Sequence, residues 1–84
     1  MAMALFYKPT CGFSRRVIQY MEQNGIDIPR KNVSESPEFR NELVALSGKA
    51  QVPCLVVDGT PIFESADIIE WLAEHWSGYD HKGD

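Results

Sequence analysis

Lys8-Pro9-Thr10-Cys11-Gly12-Phe13-Ser14-Arg15-Arg16 is the stretch that decides how the chain folds. An apolar run, Met3-Ala4-Leu5-Phe6-Tyr7, leads into it. After it, Phe13, Val17, Ile18, Tyr20 and Met21 recur at helical spacing. Cys11 therefore stands where a strand stops and a helix begins. The first N–H groups of a helix have no partner within it and point at whatever precedes them. The helix dipole adds partial positive charge at the same place. A thiol held there ionises more readily, and the thiolate is the form that attacks disulfides or binds metal. Lys8, Arg15 and Arg16 add positive charge on either side, so Cys11 is expected to be a nucleophile with a pKa below the free value.

The rest of the chain follows from this junction. A run apolar on both faces fits a strand covered on both sides, as in a parallel sheet flanked by helices. Pro9 stops it. The helix is expected over residues 12–24, with Gly25 at its C-terminal end. Residues 26–33 read as a short strand, and Pro29 inside it points to a sheet edge. Ser36-Pro37 opens a second helix, with Ser as N-cap and Pro at the first helical position. Phe39, Leu43, Val44 and Leu46 form its apolar face, and Gly48 ends it. Cys54-Leu55-Val56-Val57 is a third strand. Asp58-Gly59 is a hairpin turn, and Pro61-Ile62-Phe63 returns as a fourth strand. Ser65 is expected to cap a last helix carrying Ile68, Ile69, Leu72, Ala73 and Trp76, the last as a core residue. The order β-α-β-α-β-β-α predicts an α/β domain over residues 3–76, a four-stranded mixed sheet flanked by three helices. Residues 77–84 are polar and expected to be a flexible tail.

Composition narrows the function. The chain has 84 residues and a net charge of -4, which argues against nucleic acid or an anionic membrane surface as a partner. No apolar run approaches the length that spans a bilayer, and no signal-peptide pattern opens the sequence, so a cytoplasmic protein is expected. In a reducing compartment, the two cysteines point to catalysis or metal binding rather than a structural disulfide. Cys and His are too few for a self-contained zinc site.

These motifs together resemble the thioredoxin superfamily, and within it the glutaredoxins. Tyr7-Lys8-Pro9-Thr10-Cys11 is similar to the glutaredoxin approach to the active site. Cys11-Gly12-Phe13-Ser14 matches the monothiol glutaredoxin motif, and Gln51-Val52-Pro53 stands at the family's Thr-Val-Pro, where the Val–Pro bond is cis. The segment around Phe63-Glu64-Ser65 lacks the Gly-Gly that usually follows the glutaredoxin hairpin. It is similar instead to the N-terminal domain of glutathione transferases, where a Glu-Ser pair binds the γ-glutamyl end of glutathione.

The resemblance implies a thioredoxin-like fold and a glutathione-dependent thiol–disulfide oxidoreductase acting on glutathionylated or disulfide-containing proteins. Ser14 stands where a dithiol enzyme keeps its second cysteine. A hydroxyl cannot resolve a mixed disulfide by exchange, which implies a monothiol cycle through Cys11. Ser14 itself reads as a first-turn polar residue with no further role. Lys8 is implied to meet the glycine carboxylate of glutathione. Val52, beside Pro53, is implied to pair its backbone with the cysteinyl part. Ser65 and the last helix's N-terminus are implied to hold the γ-glutamyl carboxylate, and Glu64 the ammonium. Arg40 is a further candidate for a carboxylate, and Phe13 for the rim of the site. Cys54 is either a core thiol, as strand alternation favours, or a resolving cysteine. Two other functions fit the motifs. One is a [2Fe–2S] carrier in which two chains and two glutathiones share a cluster, with Cys11 the protein ligand; without a cluster a monomer is expected. The other is a transferase-like glutathione-binding domain.

Overall fold

The computed structural model describes residues 2–82, with side chains as far as residue 75. The elements run β1 (Met3–Tyr7), α1 (Gly12–Gln23), β2 (Arg30–Asn32), α2 (Pro37–Ser47), β3 (Cys54–Val57), β4 (Thr60–Phe63) and α3 (Ser65–Lys82). They form the expected thioredoxin-like α/β architecture. Sheet order is β2-β1-β3-β4. β1 and β2 are parallel, whereas β1–β3 and β3–β4 are antiparallel.

The two faces of the sheet are read directly from side-chain alternation. Successive residues of a strand point to opposite faces. Leu5 and Leu55, paired across β1 and β3, join Val17 and Met21 of α1, Ile26, Ile28, and Ile68 and Leu72 of α3 in one buried cluster. Phe6 and its partner Cys54 point the other way, into a second cluster with Val33, Leu43 of α2 and Val56. Each fully buried aliphatic or aromatic side chain contributes roughly 1.5–3 kcal/mol relative to exposure. These two clusters therefore hold α1 and α3 to one face and α2 to the other. Lys31 on β2 adds a tie to α2, with its ammonium 2.7 and 2.9 Å from the Glu42 carboxylate oxygens and 5.4 Å from the Phe6 ring centre.

Helix ends follow local chemistry. At the C-terminus of α1, the Ile26 N–H donates to the Met21 carbonyl (2.9 Å) and the Gly25 N–H to the Glu22 carbonyl (3.5 Å). This is the Schellman pattern. It needs a left-handed residue, which Gly25 supplies at φ 64°. At α2 the Ser36 hydroxyl accepts the Phe39 N–H at 3.4 Å, with Pro37 opening the helix and Gly48 at φ 85° closing it.

Three boundaries differ from expectation. β2 is confined to Arg30–Asn32, because Pro29 has no N–H to give the ladder. Pro29 still contributes its carbonyl, which accepts the Leu5 N–H at 2.9 Å, and β2 lies at the sheet edge as Pro29 indicated. The last helix does not stop at residue 76 but runs to Lys82, so residues 77–82 extend the helix rather than leaving it as a tail. No Pro interrupts them, and the single Gly78 costs only about 1 kcal/mol in a helix. Ser65 is the first residue of α3 rather than its cap. The Glu64 carbonyl accepts the Ile68 N–H at 3.0 Å, which puts Glu64 in the capping position. The expectation for Trp76 falls on a side chain outside those described.

Candidate active site

The carboxyl end of β1 feeds the N-terminus of α1 through residues 8–11. The turn is tight: the Cys11 N–H donates to the Lys8 carbonyl at 3.1 Å. Cys11 has extended backbone (φ -89°, ψ 120°) at the N-cap position of α1, and its side chain makes no capping bond. Its carbonyl accepts the Arg15 N–H at 3.0 Å, the first bond of the helix. The orphan N–H groups of the first turn are thus left for the sulfur. Cys11 is half-buried and free of any disulfide.

Burial by itself pushes the Cys11 thiol up. It is outweighed by the Ser14 N–H, the Ser14 hydroxyl and the Phe13 N–H, which favour the charged sulfur, and by the Lys8 charge. The net effect holds the thiol below its ordinary value. Hydrogen bonds to the charged form are the main cause and Lys8 is the smallest. Arg15 and Arg16, expected to contribute, lie exposed on α1 and do not figure among the causes. Cys54 is the opposite case. It is fully buried, and burial pushes its thiol up to about 11, only partly offset by a backbone bond at Ile62 and the Lys49 charge.

A cleft of about 170 Å³ opens beside the α1 N-terminus, lined by Phe13, Gln51, Val52, Pro53, Glu64 and Ser65. The Val52–Pro53 peptide is cis, the geometry the resemblance implied. Phe13 is 65 % exposed and forms the outer wall. Ser65 is buried at the start of α3. Glu64 is exposed, with φ 74°. A non-glycine residue there carries strain of order 1–3 kcal/mol, which is found disproportionately at functional sites. Five of the residues singled out in the sequence thus share one cleft. Lys8 does not line it but is tied to Cys11 through the turn. Arg40 is exposed on α2 and does not line it either.

Two contributors were missed. Gln51 lines the cleft, and its position just before Val52-Pro53 was the signal available. Ser14 was read as idle, yet it is fully buried. Its place on the same helical face as Val17 and Met21 would have indicated this.

Comparison with known proteins agrees with this geometry. The Glutaredoxin family model matches residues 3–62. A glutaredoxin-like 8.6 kDa protein of the rubredoxin operon of Clostridium pasteurianum is 30 % identical over 66 residues, covering 76 % of this chain and 88 % of its own. Glutaredoxin C1 from Populus tremula x tremuloides, solved in its holo form, superposes with a TM-score of 0.66 at 22 % identity, over 87 % of this chain and 75 % of its own. Glutathione transferase Omega 3C from Trametes versicolor superposes with a TM-score of 0.78 at 20 % identity, over 92 % of this chain but 34 % of its own. The two structures speak for the fold alone, while the match over residues 3–62 places this chain in the glutaredoxin family.

Proposed function

We propose that the protein is a glutathione-dependent thiol–disulfide oxidoreductase working by a monothiol cycle through Cys11. The Cys11 thiolate attacks the glutathionyl sulfur of a protein–glutathione mixed disulfide. The protein thiolate leaves and takes up a proton, and Cys11 becomes glutathionylated. The thiolate of a second glutathione then attacks that glutathionyl sulfur. Cys11 leaves as thiolate, and oxidised glutathione is released. In net terms one glutathione thiol is consumed: the mixed disulfide and one glutathione have become the substrate thiol and one glutathione disulfide, with no change in the total number of disulfides.

The observation that carries this reading is the shared cleft. Phe13, two residues after the reactive cysteine, faces the same space as Val52–Pro53 and Glu64–Ser65. A tripeptide laid along that space would offer its cysteinyl backbone to Val52, edge to edge as an added strand. Its γ-glutamyl carboxylate would reach Ser65 and the N–H groups opening α3, an anion at a helix N-terminus. Glu64 would meet the ammonium and Lys8 the glycine carboxylate, with Pro53 and Phe13 as apolar walls and Arg40 a more distant source of positive charge. The monothiol form of the cycle is supported by Cys54. It is buried, and its raised pKa leaves it almost entirely protonated at neutral pH, so glutathione rather than Cys54 resolves the intermediate.

The test is reduction of a small glutathionylated substrate by glutathione, coupled to glutathione reductase. The wild type and Cys54→Ala turn over at comparable rates, and Cys11→Ser loses at least about a thousandfold, the usual scale for removing a nucleophile. Turnover surviving in Cys11→Ser, or lost in Cys54→Ala while that variant is still folded, would refute the scheme.

A further inference from the structure

Ser14 takes no step in the cycle above beyond favouring the Cys11 thiolate, yet it is the most enclosed polar side chain near the site. It is 0 % exposed, whereas its neighbours Phe13 and Arg15 are exposed. It shares the inward face of α1 with Val17 and Met21. A hydroxyl placed among apolar side chains costs free energy unless it is hydrogen-bonded, and alanine would fill the position without that cost. The hydroxyl is bonded: it accepts the main-chain N–H of Lys8 at 3.3 Å. The carbonyl of the same Lys8 accepts the Cys11 N–H at 3.1 Å. Lys8 is therefore gripped from both sides, through its N–H by the helix and through its carbonyl by the cysteine. Pro9 and Thr10, at the tip between them, are exposed.

We propose that Ser14 is the positioning residue of this site: its buried hydroxyl anchors the backbone of Lys8, so that the main chain from which the Lys8 ammonium reaches out keeps a fixed place relative to Cys11. The inference rests on the reading of Lys8 as the partner of a glutathione carboxylate. In this scheme Ser14 touches no ligand; besides favouring the Cys11 thiolate, it acts on the bound glutathione through Lys8. A ligand clamped at Lys8 is thereby presented to Cys11 without further rearrangement of the turn, which is the usual benefit of preorganisation.

The experiment has two readouts, residue-resolved amide exchange by NMR and glutathione binding by calorimetry under reducing conditions. In Ser14→Ala the Lys8 amide exchanges about tenfold faster, the loss of one hydrogen bond, while the amides of Val17 and Met21 keep their protection. Glutathione binds several-fold more weakly. Ser14→Thr, which keeps a hydroxyl, restores part of both. In the double variant with Lys8→Ala, removing the Ser14 hydroxyl adds little further loss, because the two substitutions break one device. Should Ser14→Ala fail to fold, Ser14→Cys keeps the volume, replaces the oxygen by a weaker acceptor, and is read in the same way. Unchanged exchange at Lys8, or losses that simply add in the double variant, would overturn the proposal. A folded wild type that binds no glutathione would sink the functional reading instead, and Lys8 exchange would then decide alone whether Ser14 fixes the turn.

Discussion

Cys11 and Cys54 are the same residue in two physical settings that differ in one respect, what surrounds the sulfur. Cys54 is paired with Phe6 across the sheet and packed with Val33, Leu43 and Val56. Its surroundings are apolar, so ionisation is opposed and the thiol rises to about 11. Cys11 is only half-buried, at a helix start whose first-turn N–H groups and Ser14 hydroxyl point at it, and its thiol is lowered. Burial opposes the thiolate at both positions. Donors decide the sign at Cys11, and their scarcity decides it at Cys54. Ease of ionisation here is thus a property of the strand-to-helix junction rather than of cysteine.

The largest effect that tests this comparison is chemical selectivity. With a pKa of about 11, roughly one Cys54 in ten thousand is ionised at pH 7, and it is enclosed as well. Iodoacetamide at neutral pH is expected to label Cys11 at least about a hundredfold faster than Cys54 in the folded protein. Peptide mass mapping over a time course measures it. The two rates should converge in denaturant, and comparable rates in the native protein would break the contrast.

A second effect concerns stability at alkaline pH, where the two thiols pull in opposite directions. Cys54 has a folded pKa raised to about 11 from an ordinary value of 9.0. The folded state therefore holds a proton that the unfolded state has lost between those values. Stability from this group is complete below pH 9 and is lost as pH rises toward 11, by about 2–3 kcal/mol in all. Cys11 has a lowered folded pKa, so its contribution is present above the unfolded value and is lost as pH falls through the folded one. Urea midpoints measured from pH 8 to 11 should fall for the wild type, and the fall should be shallower in Cys54→Ala. An identical slope in both proteins would show that Cys54 does not carry it.

Much of this was legible in the residues themselves. Met3–Tyr7, apolar on both faces, could only be a covered strand. Ser36-Pro37 and Gly48 bracket α2 by the chemistry of helix ends, and Asp58-Gly59 fixes the hairpin. The alternation that sends Leu55 one way and Cys54 the other was enough to bury the second thiol. What the sequence hid were the tertiary consequences. Nothing local says that Glu64 takes a left-handed backbone conformation and the capping position of α3, because local preference favours Ser65 as the cap. That α3 continues to Lys82 depends on the absence of a breaker rather than the presence of a signal. Ser14 was obscured by its motif: set beside a dithiol pattern it looks like a missing cysteine, whereas its helical phase with Val17 and Met21 places it inside.

The smallest effect compares two helix starts. At α2 the Ser36 hydroxyl accepts the Phe39 N–H, and Ser36→Ala should cost about 1 kcal/mol. At α1 the equivalent position is Cys11, whose side chain makes no capping bond. A thiol is a weak acceptor, so below the pH at which Cys11 ionises, α1 begins with its first-turn donors poorly satisfied. Cys11→Ser puts a better acceptor in the same place and should stabilise the fold by up to about 1 kcal/mol where the wild-type thiol is protonated. The gain should shrink as pH rises and the wild-type thiolate becomes a good acceptor in its own right. Urea unfolding of the two variants and the wild type, on both sides of the Cys11 ionisation followed by thiolate absorbance, reads both terms. If Cys11→Ser is less stable than the wild type where the thiol is protonated, the donors of α1 are already satisfied without the sulfur, and the account of why the Cys11 thiol is lowered loses its footing.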